Sequence, residues 1–118
     1  VILKLSFIFS LSIMKKATFY IGLNDKTTKK QVVTTKQAMV QVQKLSSTIF
    51  WWATISPSLW VFMHENGEIV KENSIRLEVY DFGDLTKWNI ETFVNTLKQD
   101  LNQESILVEI EDKQADFM

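Results

Sequence analysis

No cysteine occurs among the 118 residues. Disulfides, thiolate metal sites and cysteine nucleophiles are excluded together, and a cytoplasmic location is the expectation that fits. Glycine occurs only three times, too scattered for a phosphate loop, a dinucleotide fingerprint or a Gly-x-Ser-x-Gly elbow. The one histidine, His64, has no second histidine with which to build a metal site or a proton relay. Charge of one sign is lacking too: 13 basic and 14 acidic residues leave a net charge of −1, so no overall field draws the chain to nucleic acid or anionic lipid. No metal or cofactor is expected.

Long apolar runs are also missing. Val1 to Ile13 is apolar apart from Lys4 and the serines, but it falls short of the ~20 residues that cross a bilayer. A single lysine and no small-residue cleavage site make it a poor signal peptide. Met14-Lys15-Lys16 has the look of a translation start, so residues 1–13 are expected to be an upstream extension of the reading frame, and residues 1–14 an apolar extension outside the folded domain. A buried N-terminal strand and a membrane anchor are the alternatives.

What is present describes one globular domain, with 46% hydrophobic and 23% charged residues. The domain is expected over residues 15–112, followed by a polar tail over 113–118. Phe19, Ile21 and Leu23 alternate with Thr18, Tyr20 and Gly22, a half-buried strand. Thr34 or Thr35 is placed to cap a helix running to about Ser46, with Ala38, Val42 and Leu45 on one face. Phe50 to His64 reads as a strand, and Pro57 makes it an edge strand or a bulged one. Ile69 to Tyr80 is the next strand, with Ile75, Leu77 and Val79 opposite Arg76, Glu78 and Tyr80.

Glu65-Asn66-Gly67-Glu68 joins these two strands, since Asn-Gly supplies the positive φ angles of a hairpin. A three-residue loop with Gly67 left-handed would pair Met63 with Ile69 and Ile55 with Leu77. A two-residue loop would mix the faces, so the first register is expected. Asn89 is the expected cap of a second helix, with Trp88 stapled to Phe93 and with Ile90, Phe93, Val94, Leu97 and Leu101 as its apolar stripe. Ser105 to Ile110 is the last strand.

The order β-α-β-β-α-β is that of a ferredoxin-like α+β sandwich, a four-stranded antiparallel sheet with both helices on one face. Helical crossovers are expected because each joins parallel neighbours. Phe19, Ile21, Val42, Leu45, Ile75, Leu77, Phe93, Leu97 and Ile106 should form the core.

Tyr20-Ile21-Gly22-Leu23, then Ile69 with Glu72 and Ser74, then Gln103-Glu104-Ser105-Ile106-Leu107 resemble the motifs of a family of small bacterial and phage-associated proteins without an established activity. That family shows a Tyr-x-Gly-Leu opening strand, a central Arg/Lys-Glu-x-Ser strand and a closing Gln-Glu-Ser-Val-Leu. The resemblance spans Ala17 to Ile110 and implies the same fold. It also implies glycine near Trp51 or Trp52 and again at Trp60. Tryptophan stands there instead, either filling those sites with indole or marking glycine codons read under another code.

No nucleophile, base and oxyanion donors converge in the sequence, so no catalytic residue is expected. His64, just before the hairpin loop, reads as a solvated turn residue. Glu72, Arg76 and Glu78 alternate on a strand, which suits a solvated or salt-bridged face as well as an acid/base pair. Asp81 and Asp84 flank Gly83 with too few oxygens for a calcium loop.

The sheet face turned from the helices should carry Tyr20, Trp60, Phe62, Arg76, Glu78 and Tyr80, with Glu109. Such an aromatic face suits a second copy of the chain, which makes a homodimer the first expectation, with a sheet covered by the N-terminal segment second and a host protein as a further partner. The leading functional expectation is a non-enzymatic binding or regulatory module of a bacterium or mobile element, acting through that face. One alternative is a small dimeric enzyme with a pocket between sheet and helices that uses Tyr20, His64 or Arg76. Another is single-stranded nucleic acid on the open face, against which stand the missing RNP pattern and the acidic residues.

Overall fold

The computed structural model describes residues 12–118, and the expectations for residues 1–11 lie outside them. Six elements follow in order: β1 (Ser12–Gly22), α1 (Thr35–Ile49), β2 (Ala53–Met63), β3 (Ile69–Tyr80), α2 (Lys87–Asp100) and β4 (Leu107–Ala115). The sheet order is β2-β3-β1-β4, antiparallel at each contact. The chain is a ferredoxin-like α+β sandwich, as the element order predicts. The crossovers do join parallel strands, but not neighbours: β3 lies between β1 and β2, and β1 lies between β3 and β4. A helix about 10 Å across covers roughly two strand spacings, so skipping one strand lets each helix lie flat on the sheet.

The hairpin takes the three-residue loop. Met63 pairs with Ile69 and Ile55 with Leu77, and Gly67 has a φ of 85°. His64 N–H donates to the Glu68 carbonyl at 2.8 Å, and Gly67 N–H donates to the His64 carbonyl at 2.9 Å. β2 is an edge strand, and its pairing with β3 runs through Pro57 opposite Ile75 without a bulge. An edge tolerates the missing donor.

Several boundaries differ from the sequence reading. β1 starts at Ser12 and β4 runs to Ala115, because these two stretches pair with each other from Ser12 opposite Ala115 to Tyr20 opposite Leu107. Residues 12–14 therefore belong to the sheet, and 113–115 are strand rather than tail. Lys15 and Asp112 form an ion pair across the two strands at 3.3 Å. α1 starts where Thr34 caps it: Thr34 Oγ1 accepts from Gln37 N–H, and Gln37 Oε1 accepts from Thr34 N–H, a reciprocal capping box. The helix continues past Ser46 to Ile49, and the hydroxyls of Ser46, Ser47 and Thr48 bond back to carbonyls three residues earlier instead of interrupting it.

The cap of α2 is Thr86, not Asn89. Thr86 Oγ1 accepts from Asn89 N–H at 3.1 Å, while the Asn89 side chain donates back to the Asp84 carbonyl at 2.7 Å. This earlier start turns Trp88 outward, 76% exposed, so it makes no staple on the buried Phe93.

The core lies between the sheet and the helices. Phe19, Ile21, Val42, Ile75, Leu77, Phe93 and Leu97 are fully buried, while Leu45 and Ile106 are only partly so. Phe50, read from the sequence as the start of a strand, instead follows α1 and is buried. Its ring meets those of Phe19 and Phe93 at centroid distances of 6.0 and 5.4 Å.

Candidate functional site

A half-buried strand such as β1 has one position where the backbone of its sheet is left bare, and that is Gly22. A Cβ there would lie 2.6 Å from Glu72 Oε2, so only glycine lets the Glu72 carboxylate settle against β1. The same oxygen accepts the Asn24 N–H at 2.9 Å. Beside this pair, Ser74 lies opposite Gly22, and its hydroxyl meets that of Ser58 at 2.6 Å.

The loops at this end are fastened by side chains. Gln103, buried, donates its amide to the Asn24 carbonyl at 2.8 Å. Asn102, at a positive φ of 48°, donates to Asp25 Oδ2 at 2.8 Å and to Thr27 Oγ1 at 3.0 Å. Asp25 Oδ1 accepts from Thr27 N–H and Thr28 N–H. These bonds, the one from Asn102 first, hold the Asp25 carboxyl below the usual carboxylate range.

The result is a groove of about 550 Å³ at the hairpin end of the sheet. Its lining includes the rings of Trp60, Phe62 and His64, the carboxylates of Asp25, Glu72 and Glu104, and the ammonium groups of Lys26 and Lys29. Cations, carboxylates and flat apolar surface thus occur within one depression. The three motif segments singled out in the sequence meet here, through Gly22 against Glu72 and Gln103 on Asn24.

Register places Tyr20, Trp60, Phe62, Arg76, Glu78, Tyr80 and Glu109 on the face away from the helices, but it does not gather them in one place. Trp60 and Phe62 line the groove. Tyr20 and Arg76 are cross-strand partners outside it. Glu78 is bound by Lys16 at 2.9 Å and Arg76 at 2.7 Å. Its bond with Lys16 holds the Glu78 carboxyl below the usual range and raises the Lys16 ammonium, against the opposing effect of burial. Tyr80 lies toward the other end of the sheet, under the Lys16 ammonium at 5.7 Å.

Of Tyr20, His64 and Arg76, the polar groups expected of an enzyme pocket, only His64 lines the groove. Glu72, read from the sequence as one of three alternating charges, is a part-buried carboxylate in its lining. Asp25, Lys26 and Lys29 were legible only as a polar loop. The available signal was Gly22 itself, since glycine inside a strand marks a close approach by another group. Among the described residues, no group of histidine, aspartate and glutamate is arranged to hold a metal ion. No helix among them is long and apolar enough to cross a membrane.

No protein-family model matches the sequence, and no curated protein does. Solved structures do match in shape. A phage SAM lyase in its apo state is 25% identical, with a TM-score of 0.57 over 86% of this chain and 82% of that one. A phage SAM lyase in complex with S-methyl-5'-thioadenosine superposes with a TM-score of 0.62 over the same shares, at 23% identity. CutA from Synechococcus elongatus shares the fold at 8% identity, with a TM-score of 0.51 over 86% of this chain and 80% of that one.

Proposed function

We propose that this chain binds S-adenosylmethionine in the groove beside Glu72 and cleaves it to S-methyl-5'-thioadenosine. The observation that carries the reading is the likeness to the apo phage SAM lyase across 86% of the chain at 25% identity. The chemistry of the groove supports it. The substrate has a flat adenine, a sulfonium, an ammonium and a carboxylate. Trp60 and Phe62 offer stacking surface, Glu72 and Glu104 offer negative charge, and Lys26 and Lys29 offer positive charge.

The bond change balances without an external nucleophile. The substrate's own carboxylate oxygen attacks the γ-carbon and closes a lactone, while the carbon–sulfur pair moves to sulfur. The sulfonium leaves as a neutral thioether, so no acid is required. Positive charge fades from sulfur in the transition state, so a carboxylate held against the sulfonium would favour substrate over transition state. Glu72 therefore acts on the ammonium end, holding the aminobutyrate chain folded for ring closure. Nuclear magnetic resonance of the labelled chain with S-methyl-5'-thioadenosine tests the site. Shifts are expected at the Trp60 indole, the Asn24 amide and the Gln103 side chain, and not at Trp88. Shifts absent from all three would refute the placement.

A second reading keeps the chain a binding or regulatory module that associates through its open sheet face, as a homodimer or with a host protein. It is favoured by Arg76 Nε, which is buried on that face with no hydrogen-bond partner among the described residues. Phe62 and Leu107, both exposed on that face, add apolar surface to it. Glu78 and Glu109 on the same face count against nucleic acid. The likeness to a phage lyase and the motif resemblance support a phage-associated setting for either reading.

A further inference from the structure

The end of the sheet remote from the groove carries a second cavity, of about 220 Å³, whose lining includes Met14, Trp52, Tyr80, Phe82, Asp116 and Phe117. It shares no residue with the lining of the groove. Four rings form a closed circuit beside it. Trp51 meets Phe82 at 4.6 Å, Phe82 meets Phe117 at 6.1 Å, Phe117 meets Trp52 at 5.4 Å, and Trp52 meets Trp51 at 6.3 Å between centroids. These rings are not part of the core. Trp51 is 71% exposed, Trp52 47% and Phe117 63%, where side chains of this size are ordinarily well covered.

Trp52, Tyr80, Phe82 and Phe117 line the cavity, with Trp51 packed behind Phe82 and Trp52, and the π faces of rings around one space add their attraction for a cation within ~6 Å. Asp116 adds a full negative charge at the lining. Its Oδ1 accepts the Phe117 N–H at 2.8 Å, a bond that ties the carboxylate to the ring next in sequence. Tyr80 already acts as a cation acceptor, with Lys16 Nζ 5.7 Å from its centroid. That ammonium is neutralised by Glu78 at 2.9 Å.

We propose that these rings and Asp116 form a cage for a methylated onium cation, a quaternary ammonium or a sulfonium. A primary ammonium would bring three N–H donors, and the lining offers one carboxylate to receive them. A methylated onium has no N–H to satisfy and is weakly hydrated, so aromatic faces and one counter-charge suffice. The cage stands apart from the groove, and its assignment does not depend on the activity proposed there.

Tryptophan fluorescence of the full chain, titrated with choline and with its neutral isostere 3,3-dimethyl-1-butanol, tests the assignment. Choline is expected to bind about tenfold more tightly than the alcohol, the scale of a partly desolvated cation–π site. Trp52→Ala and a chain ending at Ala115 should each abolish that preference, and Glu72→Gln should keep it. The shortened chain retains all of β4, so it carries the test if Trp52→Ala fails to fold. Equal affinity for the two probes, no saturable choline binding, or a preference that survives loss of Asp116 to Met118 would overturn the proposal.

Discussion

Glu72 and Gly22 fit together as carboxylate and bare backbone: the carboxylate occupies the space a Cβ at position 22 would need, at 2.6 Å from Oε2. Alanine elsewhere in a strand is a mild change. At Gly22 it must displace the carboxylate and break its bond to Asn24 N–H. Glu72 is a flexible side chain that can swing aside, so Gly22→Ala is expected to cost about 0.5–1.5 kcal/mol, the net worth of the lost hydrogen bond. Urea unfolding measures this, and the Asn24 amide resonance should move with it. An unchanged midpoint with an unmoved Asn24 amide would show that the fit is loose.

The clasp between Asp25 and Asn102 gives a pH dependence with a definite sign. The Asp25 carboxyl is held below its ordinary range, chiefly by the Asn102 side chain. Its contribution is therefore complete above the ordinary carboxylate pKa and is lost as pH falls through the lower, folded value. Asn102→Gly keeps the positive φ but removes the amide, so the Asp25 titration should move up toward the ordinary range. A carbon-detected titration of the Asp25 carboxyl follows it, and an unmoved midpoint would contradict the clasp.

Lys16 and Glu78 should act as a mutually dependent pair. Each shift favours the ionised form: Glu78 is lowered and Lys16 is raised, chiefly through their shared hydrogen bond. The carboxylate's share is lost as pH falls through its folded pKa, and the ammonium's as pH rises through its own, leaving both intact near neutrality. Glu78→Gln leaves a mostly buried ammonium without its counter-charge and is expected to cost about 1–3 kcal/mol at neutral pH. Lys16→Met with Glu78→Leu should cost less than the sum of the two single changes, read by thermal or urea unfolding. Additive costs would mean the two residues do not interact.

If the open face joins two copies, the chain should have twice its formula mass in light scattering. Trp60→Ser with Phe62→Ser should then return it to a monomer, since large aromatic side chains contribute on the order of 1.5–3 kcal/mol each when buried. A wild-type chain that already runs as a monomer removes the self-associating face from the account.

The sequence was most legible where one local signal had no rival. Asn66-Gly67 with its flanking alternation gave the hairpin and its register, and Thr34 gave the start of α1. It was least legible where two segments far apart in the chain determine each other. Ser12–Lys15 and Asp112–Ala115 become strand by pairing together, and neither carries a strong apolar alternation of its own. At α2, Thr86 and Asn89 are both good capping residues, and the choice falls to Thr86 because Asn89 is engaged by the Asp84 carbonyl. Glu72 looked like its neighbours Arg76 and Glu78 because a strand pattern reports the face of a residue and not its depth. Its role came from Gly22, fifty positions earlier.

The most direct measurement is chromatography of S-adenosylmethionine incubated with the purified full chain. S-methyl-5'-thioadenosine should accumulate with the wild-type chain and fall by about 10²- to 10³-fold with Glu72→Gln, the scale on which a positioned polar group matters to catalysis. Trp88→Ala, on the outward face of α2, should leave the rate unchanged. Product absent from the wild-type reaction, or formed equally by Glu72→Gln, would contradict cleavage in this groove.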